Sequence, residues 1–303
     1  MVEGLRLLHY AVLLGLFGLT AFRAVGLRQL AGPPGVERIR AILVAGAVTA
    51  PILSAALMLA SVAAMMGQAA LAVEWATVEA VVTTTDLGWA FMARLALLVV
   101  GLAAVIGRGR LPGGLAIAAL CYGLALMTLA WSGHAAASEG VRGLLHRLND
   151  GVHLLAAGLW IGAIGWFALL TVAAHRHCDR FAPGPVLDAV HRFAPLGAAL
   201  VAIVAVTGLI NAQLIFGLDN SSAVLATDYG WLLAAKIGMV AGMLVCGAVN
   251  ATASRRAVRA PGGSSVPPGA VLKALRVSLI AEFVLAMAIL GVVAVLGALS
   301  PGG

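Results

Sequence analysis

The sequence predicts an all-α integral membrane protein with eight transmembrane helices, arranged as two parallel four-helix repeats. The first observation is composition. Of 303 residues, 62% are hydrophobic and 10% are charged, and the mean hydropathy is +1.05, whereas a soluble domain is about half apolar and about a quarter charged. This excludes a soluble enzyme, a DNA-binding domain and a disordered protein. The three cysteines are too far apart in sequence to indicate a disulfide framework.

Apolar runs long enough to span a bilayer are the second observation. A spanning helix needs about 20 mostly apolar residues. In chain order the predicted spans are roughly 5–26, 39–66, 88–107, 114–132, 148–173, 194–216, 230–250 and 276–299. Glycine, proline or arginine clusters at 32–35, 108–110, 183–185 and 261–263 mark the predicted breaks. The first run carries Arg6 and His9 and lacks a cleavage site after a short apolar core, so it is interpreted as a retained helix.

The distribution of charge predicts the orientation. Most of the 19 basic residues fall in the loops after the first, third, fifth and seventh spans, whereas the loops on the opposite side carry mainly acidic residues. Because basic loops stay in the cytoplasm, both termini are predicted to be periplasmic in a multi-pass protein of the bacterial inner membrane. The isoelectric point of about 10.2 therefore needs no nucleic-acid partner.

An internal repeat is the third observation. Residues 83–94 read TTTDLGWAFMAR and residues 225–236 read LATDYGWLLAAK, which aligns Asp86 with Asp228 and Arg94 with Lys236. His9 and His153 are likewise each followed nine positions later by glycine. We interpret this as two domains, 1–136 and 137–303, related by a pseudo-twofold axis along the membrane normal. The alternative is that Asp86 and Asp228 are simply convergent helix caps.

Histidines concentrate at the predicted outer helix ends. Along the fifth helix, His146, Asp150 and His153 follow on one face, and Trp160 extends the same stripe. Imidazole and carboxylate are metal ligands, and Asp150 alternatively fixes the His153 tautomer. His9, as the repeat mate of His153, and His134, after the fourth helix, complete the candidate outer metal site. The alternative is a polar collar of side chains that meets lipid headgroups.

Softer ligands suggest a path inward. Met239, Met243 and Cys246 follow one another on the seventh helix, and thioether and thiolate ligands favour Cu(I). His175, His177 and Cys178 are a candidate exit site or, alternatively, a basic loop at the lipid surface. Three ionisable residues fall inside predicted spans. Arg94 and Lys236 are placed to snorkel outward, and Glu282 is expected about two turns from the cytoplasmic end of its helix.

The order of several motifs resembles the copper resistance protein D (CopD) family. These motifs are His153 to Trp160-Ile-Gly162, Arg192-Phe193, Thr207-Gly208, Tyr229-Gly230 with Lys236, then Asn250, Glu282 and Ser300-Pro301. The resemblance covers about 146–301, and the N-terminal half resembles the extra four helices of longer members. It implies an inner-membrane protein that moves copper from periplasm to cytoplasm beside a periplasmic partner of the CopC type. No ligand set is carried over from the family.

The sequence thus favours a copper transporter without enzymatic activity, because no ATP-binding or hydrolase motif is present. The alternative is a membrane redox protein that binds haem b with His9 and His153 as axial ligands. A copper sensor or assembly factor is a third hypothesis. Membrane lipid is an expected partner, and a homo-oligomer is compatible with the sequence.

Overall fold

The computed structural model describes residues 2–26, 36–107, 113–132, 140–176, 183–259 and 268–300. Within these ranges the chain is helical and contains no strand. The helices are α1 (Val2–Ala21), α2 (Val36–Met66), α3 (Trp75–Thr84), α4 (Asp86–Ile106), α5 (Gly114–Met127), α6 (Gly140–Arg176), α7 (Pro183–Ile215), α8 (Ser221–Leu225), α9 (Asp228–Arg259) and α10 (Pro268–Leu296).

Eight of these helices are long and apolar enough to cross a membrane, namely all but α3 and α8. Each corresponds to one predicted span, so the prediction of eight membrane helices is confirmed. Because the number of spanning helices is even, the start of α1 and the end of α10 lie at the same end of the bundle. Arg6 there donates a hydrogen bond of 2.9 Å to the carbonyl of Ala294. We call this the terminal end, and the opposite one the far end.

Several helices are longer than the apolar runs that predicted them. The break predicted at 183–185 is wrong, because Pro183 begins α7. Proline fits the first turn of a helix, where its missing N–H leaves no hydrogen bond unmade. At the far end, α9 continues to Arg259 and α10 already begins at Pro268. The other predicted breaks, at 32–35, 108–110 and 261–263, lie outside the described residues.

Two short helices at the terminal end were not predicted. α3 precedes α4 and α8 precedes α9, and both are too short to register as spans. Three exposed tryptophans lie at this end: Trp75 begins α3, Trp89 is in the first turn of α4, and Trp231 is in the first turn of α9. Tryptophans at one level of a membrane protein are typical of the headgroup interface, so these helices lie where such an interface would be.

Threonines cap the helices that follow. The Thr85 hydroxyl accepts a hydrogen bond of 3.0 Å from the Gly88 backbone N–H, and the Thr227 hydroxyl accepts one of 3.2 Å from that of Gly230. Asp86 and Asp228 occupy the first turn instead, where a negative charge is favoured by the helix dipole. This corrects the alternative in which the aspartates themselves cap these helices.

The bundle is built around α1 and α6, which pack against each other. A side chain at Gly18 would lie 2.3 Å from the Gly158 carbonyl oxygen, and one at Gly162 would lie 2.4 Å from the Gly18 Cα. Only glycine permits this approach. α2, α4 and α5 complete one side of the pair, and α7, α9 and α10 the other.

Candidate functional site

A cavity of about 240 Å³ opens among α6, α7, α9 and α10, with α1 at its edge. We call it the histidine cavity. It collects polar groups that are distant in sequence: Tyr10, His146, Asp150, His153, Asn211, Tyr229 and Lys236. His146, Asp150, His153, Trp160 and Lys236, all predicted site residues, thus line one space. Tyr10 and Asn211 were not singled out from the sequence, since neither belongs to a recognisable ligand motif.

His153 is held by a hydroxyl on the neighbouring helix. Its Nδ1 lies 2.8 Å from the Oγ1 of Thr207, which donates its own proton to the Ile203 carbonyl at 2.6 Å. Oγ1 must therefore accept from Nδ1–H, which fixes the tautomer. Nε2 keeps its lone pair and makes no hydrogen bond within the described residues. A lone pair on an imidazole whose other nitrogen is fixed in this way is the arrangement typical of metal-binding histidines.

An amide network orients Asp150. Asn149 donates to the Thr207 carbonyl at 2.9 Å and to the Asn211 Oδ1 at 2.7 Å. Asn211 in turn donates to the Asp150 carboxylate at 3.1 Å. The network ties α6 to α7 one turn before His153, so the imidazole and the carboxylate have fixed positions relative to each other.

The charges in the histidine cavity offset each other. Asp150 supplies a carboxylate and Lys236 supplies an ammonium group. His146, which is ionisable as well, is buried, with 2% of its surface exposed. No group of three His, Cys, Asp or Glu side chains among the described residues is arranged to hold a metal ion. An ion at His153 would therefore be held by few protein ligands.

His9 lies in different surroundings from His153. It is fully buried, and its Nε2 lies 2.7 Å from the Oγ of Ser54 on α2. Its Nδ1 is buried without a hydrogen-bond partner. Each of the two histidines thus contacts a hydroxyl within its own half. The predicted outer site also included His134, which lies outside the described residues.

Arg94 points into the protein and does not snorkel to the interface as expected. It is 4% exposed, and its Nε donates to the Thr128 hydroxyl at 2.8 Å. A second hydrogen bond of 3.3 Å reaches the Thr128 carbonyl. Threonine carbonyl and hydroxyl oxygens here replace water as partners for a buried cation.

Of the three predicted soft ligands, Met243 lines the histidine cavity, whereas Met239 and Cys246 do not. Of the predicted exit residues, His175 is exposed near the far end of α6. His177 and Cys178 lie outside the described residues.

A second cavity, of about 310 Å³, lies nearer the far end. We call it the glutamate cavity. Among the described residues its walls are apolar except at Asn250 on α9 and Glu282 on α10. The Asn250 amide donates a hydrogen bond to the Glu282 carboxylate. Glu282 is 3% exposed. It lies 14 positions from either end of α10, about 21 Å along the axis, and is therefore deeper than predicted. The sequence underestimated this depth because α10 begins eight residues before the predicted span.

Comparison with known proteins shows which family the sequence resembles. The family model for the N-terminal domain of copper resistance protein D-like proteins matches residues 1–144, and that for copper resistance protein D matches residues 187–296. Copper resistance protein D of Pseudomonas syringae pv. tomato is 33% identical over 96% of this chain and 94% of its own length. The chain belongs to the copper resistance protein D family.

Two further relatives match part of this copper resistance protein D family member. The copper transport protein CutJ of Bacillus subtilis is 31% identical over 45% of the chain and 24% of its own length. The inner membrane protein YebZ of Escherichia coli is 33% identical over 40% of each chain. No solved structure matches the chain. With its eight apolar helices, this family member is a multi-pass protein of the inner membrane.

Proposed function

We propose that this family member transports copper across the inner membrane, from periplasm to cytoplasm, and that copper enters through the histidine cavity. One observation carries the proposal: the hydrogen bond to Thr207 leaves the His153 Nε2 lone pair free, in the cavity that Asp150 also lines. Imidazole suits copper, and together with a carboxylate it suits Cu(II) in particular. Membership of the copper resistance protein D family supports this choice of ion, as does the partial relative named as a copper transport protein.

The small number of ligands favours passage over storage. An ion that must move on needs a site that binds it without holding it tightly. Lys236 lowers the attraction of the cavity for cations, while Asp150 supplies one negative charge. This balance supports a site of entry and release.

We also propose an orientation of the bundle in the membrane. The terminal end faces the periplasm, because the basic residues cluster toward the far end. A periplasmic copper-binding protein of the CopC type would then meet α3, α8 and the exposed tryptophans beside them. Transport proceeds without enzymatic chemistry.

We further propose that the halves are parallel repeats. Gly18 and Gly162, which the repeat aligns, contact each other, as residues beside a twofold axis do. The aligned threonines Thr85 and Thr227 make the same cap. The neighbours also correspond: α1 packs on α2 and α5 as α6 packs on α7 and α10.

The comparisons give no support to the alternative of a haem-binding redox protein. The relatives are named for copper and for the inner membrane, and none is named for haem. The His9 Nε2 moreover already contacts the Ser54 hydroxyl, at 2.7 Å.

Uptake of copper into proteoliposomes tests the proposal. The purified chain is reconstituted, and copper entry is measured for the wild type and for His153→Ala and Asp150→Asn. Both variants are expected to lose most of the uptake. His191→Ala, on α7 and outside both cavities, serves as the control. Uptake by His153→Ala at the wild-type rate would reject the histidine cavity as the entry site.

A further inference from the structure

The two cavities follow one another along the C-terminal four helices. On α6, His153 and Ala157 line the histidine cavity, and Ile164 and Phe167 line the glutamate cavity. On α9 the same order runs from Lys236 and Val240 to Gly247 and Asn250, and on α10 from Ala286 to Glu282 and Leu279. Steps of three or four residues keep each series on one helix face. The cavities therefore lie in one line between the two ends of the bundle.

Trp160 and Met243 separate them. These are the described residues that line both cavities. Trp160 is 8% exposed and Met243 is 1% exposed, so both side chains are packed in the protein. An indole ring and a thioether chain fill the space that would otherwise join the cavities. Met243 thus places one thioether side chain between the two cavities.

Beyond the partition, Asn250 and Glu282 bond to each other, and no basic side chain among the described lining residues neutralises the carboxylate. Apart from Asn250 and Glu282, the described residues that line the glutamate cavity are apolar, and none of them is basic. A carboxylate in such a place is costly unless a cation or a proton neutralises it. A single amide hydrogen bond does not balance the charge. The cost points to a function that requires the carboxylate.

We propose that Asn250 and Glu282, with the Met243 sulfur, form a second copper-binding position, and that Trp160 and Met243 control passage to it from the histidine cavity. This inference rests on the proposed function, because copper reaches the pair through the histidine cavity. Glu282 supplies the negative charge, the Asn250 carbonyl oxygen a neutral ligand, and Met243 a soft ligand that copper meets first. Glu282 thus neutralises the ion at the middle of its helix.

Equilibrium binding tests the second position. Copper bound per chain is counted for purified protein by titration against a competing chelator, and X-ray absorption reports the sulfur ligand. The wild type is expected to bind two ions, and Glu282→Gln and Met243→Leu one each with the sulfur signal lost. His153→Ala is expected to lose the other ion and keep the sulfur signal. Glu79→Gln, an exposed residue of α3, and Met287→Leu, on α10, are the matched controls.

The outcomes separate the two proposals. Loss of an ion in Glu282→Gln but not in His153→Ala supports the second position and contradicts entry through His153. Equal stoichiometry and an unchanged sulfur signal in Glu282→Gln overturn the second position. In that case a protonated carboxylic acid in the infrared spectrum of wild type, absent from Glu282→Gln, would identify the occupant as a proton. Glu282→Asp, which keeps the charge, is expected to retain both ions and so distinguishes lost binding from misfolding.

Passage is tested separately. Trp160→Ala removes the indole from the partition and is expected to speed filling of the second position at least tenfold in stopped-flow measurements. Trp160→Phe, which keeps a ring there, is expected to remain closer to the wild type. An unchanged rate in Trp160→Ala would reject the partition.

Discussion

At the scale of the residue, the Thr207 hydroxyl is the side chain that holds the His153 imidazole in one tautomer. Thr207→Val keeps the shape of the side chain but removes the acceptor of Nδ1–H. We expect copper affinity to fall about 10–100-fold, as losses of outer-shell partners usually do. Thr207→Ser keeps the hydroxyl and is expected to bind within a few-fold of the wild type. Competition against a chelator measures both. Wild-type affinity in Thr207→Val would contradict the assigned role.

Arg94 allows a second prediction at this scale. Thr128→Val deprives the buried guanidinium of the hydroxyl that accepts from Nε. We expect a loss of about 1–3 kcal/mol in the free energy of unfolding, because a buried charged donor is left without its partner. Thermal unfolding in detergent measures this loss. Thr49→Val on α2, whose hydroxyl bonds only within its own exposed helical turn, is the control.

At the scale of the element, the packing of α1 on α6 depends on glycine. Gly162→Ala puts a methyl group 2.4 Å from the Gly18 Cα, so the helices must separate. We expect about 1–3 kcal/mol of destabilisation, as for other overpacked contacts. Gly15→Ala on α1 has nothing within 4 Å of the new carbon and is expected to be neutral. If both variants unfold at the same temperature, the close packing is not needed for stability.

The sequence predicted the elements better than the site. Eight apolar runs identified eight helices, because length and apolarity directly encode a span. Boundaries at the far end were missed, since basic residues such as Arg255 continue α9 beyond the apolar run. His146, Asp150 and His153 were predicted together because they share one helix face. Tyr10 and Asn211 were not, because their place in the cavity depends on how α1 and α7 pack on α6. The two cavities and the partition between them depend on the same packing.

At the scale of the whole molecule, the orientation is open to direct measurement. In a chain with its native cysteines replaced by serine, Ser222→Cys on α8 is expected to react with a membrane-impermeant maleimide in intact spheroplasts. Arg256→Cys, near the far end of α9, is expected to react only after permeabilisation. Both side chains are exposed. The reverse pattern would place the terminal end in the cytoplasm.

The burial of the helices around the cavities is uneven. Of the residues in the most apolar stretch of each helix, 61% are buried inside the protein in α6, but only 11% in α7 and 6% in α9. A shift of α7 or α9 therefore changes more contacts with lipid than a shift of α6 does, although α7 packs on α6 and α9 packs on α10. Of the four C-terminal helices that line the cavities, α6 is therefore the most enclosed by protein, α7 and α9 are the most open to lipid, and α10 is intermediate. Lipid composition and bilayer thickness act directly on α7 and α9, so the membrane itself is a mechanical part of the proposed copper path.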